Sequence, residues 1–340
     1  MNLEKKKELL IEITNKCPLE CIFCSSNSNL KKKKFIDIKD LKKLVLDAKK
    51  VDIETIQLSG GEPFQHPDII KLVKFILNCK LNLVIYTCGN IKNNGCNQPI
   101  PLKFLKNFQN NKNLVLRFNF QTIDKKIYEY LTKNEYALDN LIKSIKNCAM
   151  YNIKTEVHVI PNNLNINTIE ETIDFLLTEL NVKHIKLLRL IFHGRASDNI
   201  ENLVFDEDYL YHSILGLRDK YHNSDVEIGT AFSILSNSCT ECKAAISKFM
   251  VSVDLELFPC TAFKNLTNCS IIIDDNNSLK NIISHKLLNI KLQKFLERLE
   301  CNYCKNKNSC LEICPIQKLV CKKIIKIDIT KYLTQPQVVH

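Results

Sequence analysis

The sequence predicts an α/β fold, in which a partial (β/α)6 barrel is followed by a small cysteine-rich C-terminal domain. Over the first two-thirds of the 340 residues, short β-type runs alternate six times with runs of helical period. This is the pattern of parallel strands joined by crossover helices. After about residue 222 the alternation stops, and the remainder is rich in Cys, Asn and Ser. A chain of this length can hold one large α/β domain and a smaller second unit.

The strands are predicted at residues 9–14, 55–59, 81–87, 114–120, 154–160 and 184–190, and the helices at 38–50, 68–78, 101–108, 136–150, 168–180 and 206–221. We expect the barrel to span residues 1–230, the second domain 231–325 and a tail 326–340. In such barrels the binding and catalytic side chains lie at the C-terminal ends of the strands. Motifs that follow a predicted strand are therefore candidates for the functional site.

The composition of the chain indicates the cellular compartment and the role of its cysteines. The N-terminal apolar stretch is interrupted by Glu12 and lacks the features of a signal peptide. No run approaches the roughly 18 unbroken apolar residues of a membrane-spanning helix. We therefore expect a cytoplasmic protein. Its 16 cysteines then indicate metal ligation rather than disulfides, because a reducing compartment keeps thiols unpaired.

The formal net charge is +11, and Lys31 to Lys34 form the densest basic patch. Bound iron–sulfur clusters would lower this charge, because their thiolate ligands outweigh the charge of each core. A lysine run of this length is typical of a solvated loop, and a docking site is the alternative. We expect neither a nucleic acid nor a membrane as partner.

The first cysteine motif, C-x3-C-x2-C, follows the first predicted strand and consists of Cys17, Cys21 and Cys24. Three thiolates leave one iron of a four-iron cluster open, and an open iron can bind a small molecule. A zinc site or three unpaired buried thiols are the alternatives that the motif alone leaves open.

Two further motifs follow the second and third strands. The second ends in Ser59-Gly60-Gly61-Glu62-Pro63, where the glycines allow close approach to the backbone and Glu62 offers a carboxylate to an ammonium group. The third ends in Tyr86-Thr87-Cys88-Gly89-Asn90. Each element alone could be an ordinary turn or loop.

Together, in this order and spacing, the three motifs resemble the radical S-adenosylmethionine (SAM) superfamily, whose catalytic domain is a TIM-like barrel. The resemblance implies that Cys17, Cys21 and Cys24 hold a [4Fe-4S] cluster that cleaves SAM to methionine and a 5′-deoxyadenosyl radical. An electron donor such as flavodoxin or ferredoxin is implied as a partner. It further implies that Phe23 lies at the adenine edge, and that Gly60, Gly61, Glu62 and Thr87 contact SAM.

The fourth predicted strand alternates polar Arg117, Asn119 and Gln121 with phenylalanines, so its polar face is expected to line a wet barrel interior. A solvated edge is the alternative. By the family resemblance Asn119 falls where a ribose contact is common. Arg189, at the end of the sixth strand, is a candidate for the SAM carboxylate, because its planar fork matches that group. We expect His158 to be a satisfied interior histidine.

Apart from Cys269, eight cysteines follow the barrel, and the run C-x2-C-x5-C-x3-C within them resembles the SPASM extension of radical SAM enzymes. One departure is Leu255, because the hairpin before the third of these cysteines usually carries Gly there. The resemblance implies two auxiliary [4Fe-4S] clusters, whereas spacing alone also allows two structural zinc sites. The implied ligands are Cys239, Cys242, Cys260 and Cys314 for the first cluster and Cys301, Cys304, Cys310 and Cys321 for the second.

The SPASM resemblance most often implies modification of a peptide or protein. The leading hypothesis is a peptide maturase that causes epimerisation, a crosslink or an oxidation. A small-molecule radical SAM oxidoreductase is one alternative, and a non-catalytic iron–sulfur scaffold is another. Of the remaining cysteines, Cys88 and Cys96 flank the turn after the third strand and are candidate hydrogen-atom donors, as an epimerase needs. The alternative is that both are ordinary loop cysteines.

Overall fold

A ten-stranded sheet forms the centre of the molecule. The computed structural model describes residues 6–204, 207–224, 226–228, 242–264, 266–297 and 314–316. The sheet order is β12-β11-β10-β1-β2-β3-β6-β7-β8-β9, and β4 and β5 form a separate hairpin. The strands are β1 Lys7–Thr14, β2 Ile53–Gly60, β3 Asn82–Thr87, β4 Ile91–Asn93, β5 Cys96–Gln98, β6 Leu114–Asn119, β7 Lys154–Val159, β8 Ile185–Leu187, β9 Val226–Ile228, β10 Lys248–Val251, β11 Glu256–Phe258 and β12 Ile271–Ile272.

Helices cover one face of this sheet. They are α1 Ile38–Lys50, α2 Ile69–Asn78, α3 Leu102–Asn107, α4 Lys125–Thr132, α5 Ala137–Met150, α6 Ile169–Thr178, α7 Arg195–Asp198, α8 Ile200–Leu203, α9 Glu207–Lys220, α10 Leu279–Ser284 and α11 Leu287–Glu297. Helix α1 illustrates how the local sequence determines where a helix begins and which face is buried. Its N-cap residue Asp37 accepts a hydrogen bond from the Lys39 N–H, and Leu41, Leu44 and Val45 bury their apolar face.

Strand β1 shows how the sheet separates a core from a polar interior. Leu9, Ile11 and Ile13 are completely buried in the main apolar core. Glu8 and Leu10, on the opposite side of the same strand, line an internal cavity. This alternation follows from the two-residue period of a strand.

The predicted α/β fold with a mainly parallel sheet is confirmed: β1, β2, β3, β6, β7, β8, β9 and β10 pair in parallel. Each of the six predicted strands is present. The sheet extends beyond them, because β10 and β11 belong to the predicted second domain and β10 pairs directly with β1. Within the described residues the sheet ends at β9 and β12 and is not closed.

Two local features differ from the sequence expectation or sharpen it. Helix α4 and the β4–β5 hairpin were not predicted, because each is short. The β10–β11 hairpin forms where the sequence predicts it, and Leu255 has a left-handed φ of 60°. This conformation explains why glycine suits the position and why leucine there is strained.

Of the helices described, none is long and apolar enough to cross a membrane.

Candidate functional site

The cysteine loop follows β1 at the C-terminal edge of the sheet. Cys17 is buried, and Cys21 and Cys24 are half-buried. Backbone hydrogen bonds hold the loop: the Cys17 N–H donates to Asn29 O at 3.1 Å, and the Cys24 N–H donates to Cys21 O at 3.2 Å. The three thiols are thereby fixed on one short loop.

Arg195 organises the outer side of this loop. Its Nε donates to Cys21 O at 2.8 Å and its Nη2 to Ser28 O at 2.7 Å, while its backbone N–H donates to Cys24 O at 3.1 Å. Sequence reasoning gave Arg195 no role, because its contacts span more than 160 residues of chain. The only sequence signal was its place after the sixth strand, directly behind a glycine.

The three thiols are close enough to affect one another electrostatically. Burial raises the pKa of Cys21 well above its ordinary value, and the neighbouring Cys17 and Cys24 raise it further, while Arg195 opposes them. Burial also raises the pKa of Cys24. Buried thiolates at this spacing need a cationic core to offset their charge, and a four-iron cluster supplies one. The residues present therefore fit such a cluster.

In the described part of the chain, no three His, Cys, Asp or Glu side chains surround a single point as ligands of one metal ion would. This observation neither supports nor excludes an iron–sulfur cluster, because each thiolate of a cluster binds its own iron.

Gly60 and Gly61 lie against the cysteine loop. Gly60 has a φ of 117°, and a Cβ there would lie 2.2 Å from Thr14 O; a Cβ on Gly61 would lie 2.2 Å from Lys16 O. The Glu62 N–H donates to Lys16 O at 2.8 Å. The glycines thus allow the end of β2 to touch the backbone that leads into Cys17.

The carboxylate of Glu62 lies in the interior of this site and is completely buried. It accepts hydrogen bonds from Thr87 Oγ1 at 2.9 Å, from the Cys88 N–H at 2.8 Å and from the Phe64 N–H at 3.2 Å. Burial nevertheless raises the pKa of Glu62 to about 7, and hydrogen bonds from Cys88 act in the opposite direction. An ammonium group placed here would favour the ionised form.

The two candidate hydrogen donors lie in different surroundings. The Cys88 thiol donates to Glu62 Oε2 at 3.1 Å, and Cys17 is a further hydrogen-bonding neighbour. Cys96 begins β5 and is exposed. The structure therefore brings Cys88, but not Cys96, into contact with the residues around Glu62.

The other predicted SAM contacts follow neighbouring strands at the same edge. Asn119 is the last residue of β6 and is half-buried, and Arg189 is buried just after β8. Phe23 is partly buried and packs against a small apolar cluster that includes Leu190 and Phe192. Thr87 is buried beside Glu62. All of these residues share one edge with the cysteine loop.

Three of the eight C-terminal cysteines expected as cluster ligands are described. Burial raises the pKa of Cys260 to about 12, and Cys314 and Cys242 add to the increase, so the three thiols are neighbours. They are three of the four ligands expected for one auxiliary cluster. The remaining expected ligands lie outside the described residues: Cys239, Cys301, Cys304, Cys310 and Cys321.

A cavity of about 350 Å³ occupies the interior of the curved sheet. Tyr86 and His158 line it beside the edge that carries Thr87 and Asn119, and Cys260 also lines it. The cavity therefore brings Tyr86 and His158, from strands that end at this edge, into one space with an expected auxiliary-cluster ligand.

A hydrogen-bonded row of side chains crosses five strands along this cavity. Arg117 bonds Glu156 through Nε at 2.9 Å and the Tyr86 hydroxyl through Nη1 at 2.7 Å. Tyr86 then donates to Gln57, whose amide donates to Glu8 at 3.0 Å. Of the polar face predicted for the fourth strand, Arg117 lines this cavity.

His158 differs from expectation. Its Nδ1 is buried without a hydrogen-bond partner among the described residues, whereas the sequence suggested a satisfied histidine. Burial, followed by the charges of Arg117, Lys186 and Lys248, lowers the pKa of His158 well below its ordinary value. The imidazole is therefore neutral near pH 7.

Comparison with known proteins identifies the fold and the domain. Residues 11–176 match the profile of the Radical SAM superfamily. Among curated relatives, the chain is 25% identical over 222 residues to a probable GTP 3′,8-cyclase of Pyrococcus horikoshii, which covers 65% of this chain and 66% of that protein. It is 34% identical over 67 residues to PqqA peptide cyclase of Bradyrhizobium diazoefficiens, which covers 19% of this chain and 18% of that protein. The chain thus spans less than two-thirds of these relatives.

Solved structures share the architecture over nearly the whole chain. Streptococcus suis SuiB bound to S-adenosylmethionine matches with a TM-score of 0.71 and 17% identity, covering 93% of this chain and 74% of that one. anSMEcpe with bound AdoMet matches with a TM-score of 0.63 and 15% identity, covering 96% and 97%. At these identities the likeness shows the fold alone.

Proposed function

Because this chain belongs to the radical SAM superfamily of enzymes, we propose that it modifies a peptide or protein by hydrogen abstraction from the substrate. The observation that carries this proposal is the cavity lined by Cys260 and by residues of the strands that end at the cysteine-loop edge, because its lining charges are balanced. The reaction is epimerisation, crosslinking or oxidation.

The residues at the sheet edge have separate tasks in this proposal. Cys17, Cys21 and Cys24 hold a [4Fe-4S] cluster, and Glu62 receives the SAM ammonium together with the backbone of Gly60 and Gly61. The bound cluster and SAM supply the chemistry: one electron cleaves SAM to methionine and a 5′-deoxyadenosyl radical. Phe23, Thr87, Asn119 and Arg189 position the remainder of SAM. The buried walls keep water away from the reacting groups.

The auxiliary cysteines form the second part of the proposal. Cys242, Cys260 and Cys314, which are neighbours, hold one auxiliary cluster with Cys239. Cys301, Cys304, Cys310 and Cys321 hold the other. Clusters with four protein ligands suit electron transfer, such as removal of an electron from a substrate radical.

The cavity charges favour a peptide over a nucleotide triphosphate. Three cations line it, and three carboxylates offset them: Arg117, Lys186 and Lys248 against Glu8, Glu156 and Glu227. Arg117 is bonded to Glu156, and Lys186 lies 2.6 Å from Glu227. A triphosphate needs an excess of cations, whereas a peptide segment needs neutral donors and acceptors. Neutral His158, whose Nδ1 has no hydrogen-bond partner among the described residues, supplies one such group.

Structural neighbours are consistent with this substrate class. SuiB has been solved bound to its precursor peptide SuiA, and anSMEcpe has been solved with a Cp18Cys peptide. These ligands belong to those proteins. They support the proposal because the same fold holds peptides there.

A small-molecule reaction is the second candidate, favoured by the 222-residue alignment with a probable GTP 3′,8-cyclase. A non-catalytic iron–sulfur scaffold is disfavoured, because a scaffold has no need of the buried Glu62 carboxylate beside the cysteine loop. If the product is a D-residue, Cys88 or Cys96 serves as hydrogen donor. Either variant to Ala would then cleave SAM without completing inversion.

The test uses anaerobically reconstituted, reduced protein with SAM. Short peptides encoded beside its gene are added singly, GTP is added in a parallel reaction, and 5′-deoxyadenosine and substrate mass are measured. We expect a peptide to stimulate 5′-deoxyadenosine formation and to change mass, with no effect of GTP. Stimulation by GTP alone would support the small-molecule reaction, and no 5′-deoxyadenosine under any condition would support the scaffold.

A further inference from the structure

The basic loop, defined as Lys31, Lys32 and Lys33, lies directly beside the cysteine loop. Lys31 and Lys33 are exposed and Lys32 is half-buried. None of the three ammonium groups forms an ion pair with a carboxylate in the described part of the chain. The next residue, Lys34, is paired with Asp254.

Backbone hydrogen bonds hold the basic loop next to Cys17, the first expected cluster ligand. The Cys17 N–H donates to Asn29 O at 3.1 Å, and the Asn15 N–H donates to Lys34 O at 3.2 Å. The Lys34 N–H returns a hydrogen bond to Asn15 Oδ1 at 3.0 Å. The three lysines therefore lie between two backbone attachments to the segment that carries Cys17.

The turn itself is also fixed. Asn29 Oδ1 accepts hydrogen bonds from the Lys31 and Lys32 N–H groups at 3.0 and 3.1 Å. A solvated run of lysines does not need such attachments. Here they place positive charge at a constant distance from the cysteines.

Neighbouring carboxylates do not cancel this charge. Glu12 is buried and accepts from Lys264 at 2.7 Å and from Ser26 at 2.6 Å. Asp254 is paired with Lys34, and the single charge of Glu256, whose carboxylate accepts from the Ser270 hydroxyl, is smaller than the three positive charges of the basic loop. The surface beside the cysteine loop is therefore net positive.

We propose that the basic loop docks an acidic one-electron carrier protein, which delivers its electron to the cluster held by Cys17, Cys21 and Cys24. This rests on the proposed function, because cleavage of each SAM consumes one electron that the chain must receive from outside. The carrier loses one electron and the cluster gains it, with no bond or proton transferred. A patch of three lysines suits the small interfaces of transient redox complexes, which bury less than about 1,200 Å².

Charge complementarity favours an acidic carrier protein at this surface. An acidic carrier is steered to a positive surface, which raises its association rate by roughly 10- to 1,000-fold at low salt. A single-stranded nucleic acid would also need an aromatic surface for its bases. The adjacent Phe35 instead packs edge-on against His66, with ring centroids 5.5 Å apart.

The experiment compares two reductants on reconstituted protein. The test variant is Lys31→Glu/Lys32→Glu/Lys33→Glu. The matched control is Lys103→Glu/Lys106→Glu/Lys112→Glu, which reverses three exposed charges on and after α3, ahead of β6. The rate of 5′-deoxyadenosine formation is measured with reduced acidic flavodoxin and, separately, with excess dithionite, over a range of ionic strength.

In the test variant, we expect the flavodoxin-driven rate at low salt to fall at least about tenfold. We also expect this rate to lose its dependence on salt. Its dithionite-driven rate and the control variant should match the unmodified protein. An unchanged flavodoxin-driven rate would overturn the proposal, as would an equal loss with both reductants. Failure of the unmodified protein to cleave SAM even with dithionite would overturn the proposed function and this proposal with it.

Discussion

Glu62 shows most clearly how a single residue can be prepared for its ligand. Its carboxylate is completely buried, and the donors around it come from Thr87, Cys88 and Phe64. These hydrogen bonds do not offset the loss of water, so its pKa rises to about 7. Because the folded pKa exceeds the unfolded one, Glu62 contributes less stability as pH rises from about 4.3 toward 7. A bound ammonium would remove this cost.

The first prediction concerns the pH dependence of SAM binding. Only ionised Glu62 attracts the ammonium, so the Kd for SAM should be about tenfold weaker at pH 6 than at pH 8. Isothermal titration of anaerobic protein measures this. Glu62→Gln, the control variant, should bind SAM more weakly at pH 8 and lose most of the pH dependence. A Kd for the unmodified protein that does not vary over this range would contradict the assignment.

The second prediction concerns Gly61, whose missing side chain lets β2 contact the cysteine loop. Gly61→Ala places a Cβ 2.2 Å from Lys16 O and must displace the backbone next to Cys17. We expect iron per reconstituted chain to fall from about 12 to about 8, since one cluster of three is lost. Gly216→Ala is the matched control, because nothing lies within 4 Å of its added Cβ. Full iron content in Gly61→Ala would show that the contact is dispensable.

At the scale of elements, the row of side chains across β1, β2, β3, β6 and β7 links strands that are distant in sequence. The alternation of polar and apolar residues on β6 predicts that Arg117 points inward. It cannot predict that Arg117 meets Glu156 and Tyr86, because the partner depends on the register between strands. Parallel register is set by packing of the whole sheet rather than by any local pattern.

The third prediction tests this row. Arg117→Met leaves the carboxylate of Glu156 largely buried, with only the half-exposed Lys154 nearby at 3.7 Å. We expect the free energy of unfolding to fall by about 3 kcal/mol. The double variant Arg117→Met/Glu156→Leu should recover most of this loss, because both charges are then absent. Denaturant unfolding followed by circular dichroism measures it, and a double variant no more stable than the single one would disprove the pairing.

The same dependence on contacts between distant residues explains what could not be predicted from the sequence. Strong apolar periodicity predicts α1 and α5 well. Helix α4 was missed because it has only eight residues, although it has an apolar face and its cap Asp124 accepts from the Ile127 N–H at 2.9 Å. The hairpin of β10 with β11 is expected from the sequence, but the pairing of β10 with β1 is not, because it joins residues far apart in the chain. The cysteine, glycine and Glu62 motifs could be recognised from the sequence because their residues are contiguous. The role of Arg195 could not, because its contacts are far away in the chain.

At the scale of the whole molecule, the two parts expected from the sequence are joined more closely than their composition suggests. Strand β10 pairs with β1 at the Glu8–Lys248 position, and Lys264 forms a largely buried ion pair with Glu12. Cys260 lines the same internal cavity as Glu8 and Lys248. The change in composition near residue 222 thus marks a change in chemistry, while the sheet continues across it.

The last prediction uses this arrangement to separate the two kinds of cluster. In the proposed function, Cys260 holds an auxiliary cluster and takes no part in SAM cleavage. Cys260→Ala should therefore lower iron from about 12 to about 8 per chain while 5′-deoxyadenosine is still formed, and the peptide product should be lost. The control Cys17→Ala/Cys21→Ala/Cys24→Ala should lose the same amount of iron together with all SAM cleavage.

Iron analysis, 5′-deoxyadenosine and peptide mass distinguish the possible outcomes of that comparison. Removal of one ligand also leaves Cys242 and Cys314 as neighbouring half-buried thiols without the metal proposed to bind them, so some loss of folded protein is expected. The soluble fraction of Cys260→Ala is therefore the sample to assay. If it keeps about 12 iron and makes product normally, Cys260 is not a ligand, and its closeness to Cys314 reflects packing alone. If it loses SAM cleavage along with product, the two sites are not separate in function.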